Sequence, residues 1–141
     1  MDFLIEPFVA VGPIPFGATR AQVRRLLAVP VESFMRNEDD IAEIDEFESL
    51  GIFVEYDKDD VCISIEMSVP ANPIFRSREM LREPYAQLRT WITTLDSSAD
   101  IDEAGLDSAA LGIGLYADLP KRDRTSPAES AIAFKRGYFE G

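Results

Sequence analysis

Gly12-Pro13-Ile14-Pro15-Phe16-Gly17-Ala18-Thr19-Arg20-Ala21-Gln22-Val23-Arg24-Arg25-Leu26-Leu27 reads as the end of a strand, a tight turn and the opening of a helix. Thr19 stands where an N-cap belongs and Gln22 follows three residues later, the spacing of a capping box. Val23, Leu26 and Leu27 fall on one helical face, and Arg20, Arg24 and Arg25 are expected to point away from it. The pattern predicts a helix over about 19–29, stopped by Pro30 because proline disfavours helical geometry in its predecessor.

Upstream, residues 2–5 and 8–11 are short apolar runs split by Pro7, the pattern of an edge strand. Downstream, residues 31–36 suggest a short strand. Residues 37–48 are ambiguous between a helical turn and an acidic loop, with Ile41, Ile44 and Phe47 recurring every third residue. The clearest strand signal comes next. Ile52, Val54 and Tyr56 alternate with Phe53, Glu55 and Asp57, then Val61, Ile63, Ile65 and Met67 alternate with Cys62, Ser64, Glu66 and Ser68. Two period-two runs around the polar turn Asp57-Lys58-Asp59-Asp60 predict a hairpin, ended by Pro70 and Pro73.

A loop then leads to a second helix over about 83–95. Tyr85, Leu88, Trp91, Ile92 and Leu95 share one arc, and Pro84 is placed near the first turn, where proline is accepted. Residues 96–107 read as an acidic loop with a strand near Ile101. Leu111, Ile113 and Leu115 mark another strand, and Ala131 to Arg136 a last one, joined by the long connection 117–128. Strands in neighbouring pairs with two separated helices predict an α+β domain: an antiparallel sheet with two amphipathic helices packed on one face. The order also suggests two similar halves, though the residues are too dissimilar to read as a repeat.

The chain of 141 residues is one domain by length, 1–141, with 46% apolar residues, enough for a core without metal or disulfides. Its single cysteine, Cys62, excludes an intramolecular disulfide. Asp2 and Glu6 stand where a secretory signal would be positive, and no apolar run reaches bilayer length, so a cytoplasmic protein is expected.

The net charge of −12 is uneven. Residues 37–60 hold eleven carboxylates and one lysine, a balance of −10, and residues 96–120 hold six carboxylates and no base. Such a surface repels nucleic acid and anionic lipid and steers a basic protein toward itself. The competing explanation is that the acid only keeps a small domain soluble.

Catalytic and cofactor patterns do not assemble. There is no histidine, which removes Ser-His-Asp and Cys-His nucleophiles and, with one cysteine, a zinc site of usual composition. Gly112-Ile113-Gly114-Leu115-Tyr116-Ala117 satisfies G-x-G-x-x-A, yet Asp118-Leu119-Pro120 follows where a helix should open. These glycines read instead as sites of close approach to a strand. Asp57, Asp59 and Asp60 resemble the start of a calcium loop, but Cys62 occupies the glycine position and Ser68 that of the last glutamate. No cofactor, metal or enzymatic activity is expected.

Gly12 to Pro30 resembles the opening motif of the SmpA/OmlA outer-membrane assembly lipoproteins. The export signal and lipid-attachment cysteine of that family are not read here, so its membrane role is not expected to carry over. More broadly the chain is similar to small acidic immunity proteins of bacterial polymorphic toxin and contact-dependent inhibition systems. The shared features are size, acidity, an α+β order, Gly51-Ile52-Phe53-Val54-Glu55-Tyr56-Asp57 with Ile65-Glu66, and Gly137-Tyr138-Phe139-Glu140. That resemblance implies an inhibitor of a cognate, often basic, toxin. The expected partner-binding residues, chosen by charge, are Glu38, Asp39, Asp40, Glu43, Asp45 and Glu46, then Asp57, Asp59 and Asp60, with Phe47 and Tyr56 as candidates either for aromatic anchors or for the core. The alternative is a structural or adaptor domain that self-associates or binds a cellular protein.

Overall fold

A computed structural model of the chain describes residues 1–35, 43–117 and 125–138. Along the chain run β1 (Asp2–Glu6), β2 (Ala10–Val11), β3 (Ile14–Pro15), α1 (Arg20–Leu27), β4 (Glu32–Phe34), β5 (Ile44–Phe47) and a 3-10 turn (Glu48–Leu50). Then come β6 (Ile52–Tyr56), β7 (Cys62–Met67), β8 (Asn72–Phe75), β9 (Arg78–Glu79) and α2 (Tyr85–Leu95). The order closes with β10 (Asp100–Asp102), β11 (Gly105–Ser108), β12 (Ile113–Tyr116) and β13 (Ser130–Phe134). The class is α+β, and every strand pair but β1–β8 is antiparallel.

Two sheets form. The smaller has the order β3-β2-β1-β8-β9, and the larger β10-β11-β12-β13-β7-β6-β5-β4. The expectation of an edge strand at the N-terminus is corrected: β1 lies inside the smaller sheet, paired on both sides. Pro7 falls in the turn after it, so it removes no ladder hydrogen bond. Residues 71–82 are likewise not only a loop, since they form β8 and β9. The hairpin of β6 and β7 and the last two strands match the alternation in the sequence.

The large sheet separates its two faces by register. One row runs Phe47, Ile52, Met67, Ala131, Leu115, Leu106 and Ile101 across seven strands. All but Ile101 are buried, in one cluster with Val23 and Leu27 of α1 and Tyr85, Leu88 and Ile92 of α2. Ile44, Ile132 and Phe134 are also buried but stand outside that cluster, on the opposite, outer face.

The sheet consists of two matching halves, α1 with β4–β7 and α2 with β10–β13, joined where β7 pairs β13. Thr19, just before α1, bridges Val61; Pro84, just before α2, bridges Pro127. The first amide of each helix donates to the same place, Arg20 to the Asp60 carbonyl and Tyr85 to that of Ser126. Gly51 and Gly112 close equivalent turns at φ +74° and +71°, with their amides on the Phe47 and Ser108 carbonyls. Val23 and Leu88 are buried at matching helix positions, as are Leu27 and Ile92. The duplication is one of topology, carried by side chains that do not resemble each other.

Candidate functional site

Helix α1 begins with the expected capping box: the Gln22 amide donates to Thr19 Oγ1 at 3.2 Å, and the Thr19 amide to Gln22 Oε1 at 2.9 Å. Its inward face differs from the one expected. Leu26 is 49% exposed, whereas Val23 and Leu27 are buried. Arg20 and Arg24 precede them by three residues and lie on the same stripe, so both guanidiniums reach into the fold.

They converge on Asp45, whose side chain has 0% exposure. Asp45 Oδ1 accepts from Arg20 Nη1 at 2.9 Å, Arg24 Nη2 at 2.7 Å and Ser33 Oγ at 2.7 Å; Oδ2 accepts from Arg24 Nε at 2.8 Å and the Tyr56 hydroxyl at 3.0 Å. Arg20 also lies 4.5 Å from the centre of the Tyr56 ring and pairs with Asp60 at 2.9 Å. Burial pushes the Asp45 carboxyl up, but the hydrogen bonds from Arg24, Ser33 and Tyr56 and the charge of Arg20 outweigh it and hold it below the usual range. Burial beside Asp45 raises the Tyr56 hydroxyl, so it stays a donor. This junction ties α1 to β5 and the β6–β7 turn. Asp45 itself is closed to a partner, whereas Asp60 and Ser33 at its margin are exposed.

The residues chosen by charge therefore separate. Asp45 is interior, and Phe47 and Tyr56 are core rather than exposed anchors. Asp60 is exposed yet held by Arg20. Asp57 shapes the hairpin turn, accepting from the Asp59 and Val61 amides. Glu43 and Asp59 are exposed, and Glu46 is half-buried on the outer face. Glu38, Asp39 and Asp40 lie outside the described residues.

The outer face was not foreseen. A single register row crosses all eight strands: Glu32, Glu46, Phe53, Glu66, Ile132, Gly114, Asp107, Asp100. Five of the eight are carboxylates. Glu55 and Asp102 flank it on the same face, and the eight strands contain no lysine or arginine. At each end two carboxylates stand directly opposite, Glu32 with Glu46 and Asp100 with Asp107, an arrangement that destabilises a sheet on its own. Burial and the charges of Asp102 and Asp100 raise the Asp107 carboxyl above its usual range, against the lowering effect of the Tyr116 hydrogen bond. Aromatic groups interleave: Phe34 meets Phe53 edge-on at 5.8 Å, and Tyr138 stacks on Phe134 at 5.3 Å while donating to Glu55 at 2.7 Å.

The glycine pair behaves as a close-approach site. Phe8 would lie 2.9 Å from a Cβ on Gly112, and the segment continues as β12 rather than turning into a helix. Cys62 is buried, and that burial pushes its thiol up to about 12, so it is a packed group rather than a nucleophile. Among the described residues no cluster of metal-ligating side chains is gathered, and no helix is long and apolar enough to cross a membrane. The chain matches no family model, no curated protein and no solved structure at a significant level.

Proposed function

We propose that the chain is a non-enzymatic, immunity-type inhibitor that neutralises a basic toxin domain in the cytoplasm, using the outer face of its large sheet. Both helices lie on the core side in this reading, leaving the exposed and half-buried acids of the other side to the partner, around the buried Ile44, Ile132 and Phe134. The observation that carries it is the outer row in which five of eight residues are carboxylates, with a self-opposed pair at each end and no base in any of the eight strands. A sheet built for stability alone would place lysine or arginine opposite those acids. Lysine and arginine side chains of a partner meet the opposed carboxylates Glu32–Glu46 and Asp100–Asp107, and half-buried Phe53 and Tyr116 supply apolar contact. The toxin's substrate groove is blocked by occlusion, and no residue need perform chemistry.

The test is rescue of growth on coexpression with the basic domain encoded by a neighbouring reading frame. Wild type should protect. Asp100→Lys combined with Glu66→Lys should abolish protection while the protein stays folded by circular dichroism. Protection that survives this double reversal, or self-association in place of any basic partner, would favour the adaptor reading.

A further inference from the structure

We infer that the β4 edge of the large sheet receives an extended, arginine- or lysine-bearing segment of the partner protein as an added strand. This rests on the proposed binding of a basic partner and specifies how one part of that partner is held. Strand β4 ends the sheet order and, among the described residues, has a ladder with β5 alone. An edge strand offers outward N–H and C=O groups to another chain unless it is blocked. Of the devices that blunt natural edges, Glu32-Ser33-Phe34 has a short length and one charge of acidic sign, but neither lysine nor proline, so a basic segment is the one it does not repel.

At the start of β4, next to Glu32, lies an open groove of about 490 Å³. Glu32, Glu46 and Glu48 line it together with Pro30, Val31 and Pro70. Among the described residues, none of the three carboxylates has a side-chain hydrogen bond or ion pair. Glu32 and Glu46 moreover face each other across the ladder, where like charges disfavour pairing. The complement to this groove is a cation on a long apolar stem. Arginine and lysine fit, with methylenes against the prolines and valine and the charge among the carboxylates. Side chains alternate along an added strand, so every second residue of the segment would face the groove.

The experiment is an amide NMR titration of the full chain with three synthetic peptides. One alternates arginine and valine; one is the same with alternate backbone amides methylated; one carries glutamate for arginine. The arginine peptide should shift the amides of Glu32, Phe34 and Glu48. Backbone methylation, which removes ladder donors without changing charge, should weaken it about tenfold or more, as should Glu46→Gln with Glu48→Gln. The glutamate peptide should not bind. Equal affinity for the methylated peptide, shifts centred on β10 instead, or no binding by the arginine peptide would overturn strand addition. Partner association that still depends on Glu66 and Asp100 would then leave the outer-face reading standing, and association indifferent to both would remove that as well.

Discussion

Asp45 accepts five hydrogen bonds with no exposed surface, so its removal leaves Arg24 without its counter-charge and Arg20 with Asp60 alone. Asp45→Asn should cost about 3–5 kcal/mol in urea denaturation, the usual penalty for breaking a buried pair from one side. Replacing Arg20, Arg24 and Asp45 together by leucine should recover most of that loss, because the matching position in the other half is the buried Leu106. A triple variant as unstable as Asp45→Asn would show that the junction itself, and not the broken pairing, holds α1. The sign with pH follows from the lowered carboxyl: the stability Asp45 adds is present above its unfolded pKa and lost as pH falls through the folded one. Asp107 works in the other direction. Its raised carboxyl means that its contribution is present at low pH and lost as pH rises through the folded value. Asp107→Asn should therefore raise the melting temperature at neutral pH and change it little in acid; a lower melting temperature at pH 7 would contradict the repulsion described for it. None of this pairing was legible in the sequence. Arg20 and Arg24 share a stripe with Val23 and Leu27, which was the available signal, but charge was assigned to solvent and Asp45 lies far along the chain.

At the level of elements, local chemistry was readable where it is local. The Thr19–Gln22 box is present, and Thr19→Ala should lower the denaturation midpoint by the equivalent of about 1 kcal/mol; an unchanged midpoint would mean the cap adds nothing. The β6–β7 hairpin announced itself through alternation around a polar turn. Strands β8 and β11 did not, for different reasons. Pro73 looked like a terminator, yet it sits within β8 opposite Phe3. Gly105-Leu106-Asp107-Ser108 has one apolar side chain in four and becomes a strand only because β10 and β12 flank it. Gly51 shows how closely the matching turns are built. Its backbone is left-handed, and a Cβ there would drive into the Ser68 carbonyl oxygen. Gly51→Ala should destabilise by more than the 1 kcal/mol or so that conformational preference alone would cost; a smaller loss in thermal melts would show that the turn can shift.

For the molecule as a whole, strand order as well as linear charge density decides where charge is displayed. Within the described part of the dense block, residues 43–60, one carboxylate is interior, one shapes a turn and one is paired with Arg20. The acidic row draws instead on residues from 32 to 107 that only strand order brings together, so no sequence window contains it. Two topologically matched halves make that row continuous, since their junction places Glu66 beside Ile132 at its middle. Long-range steering by this face should fade as salt screens it, over a Debye length of about 8 Å at physiological ionic strength. The decisive measurement is stopped-flow association with the basic partner across a salt series, comparing wild type with Glu66→Gln/Asp100→Asn and with Glu43→Gln/Asp59→Asn. The account predicts association that slows steeply with salt and falls several-fold at low salt for the outer-row variant, on the scale of electrostatic steering, while the Glu43/Asp59 variant stays close to wild type. Equal rates for wild type and the outer-row variant at low salt, or a loss confined to the Glu43/Asp59 variant, would contradict it.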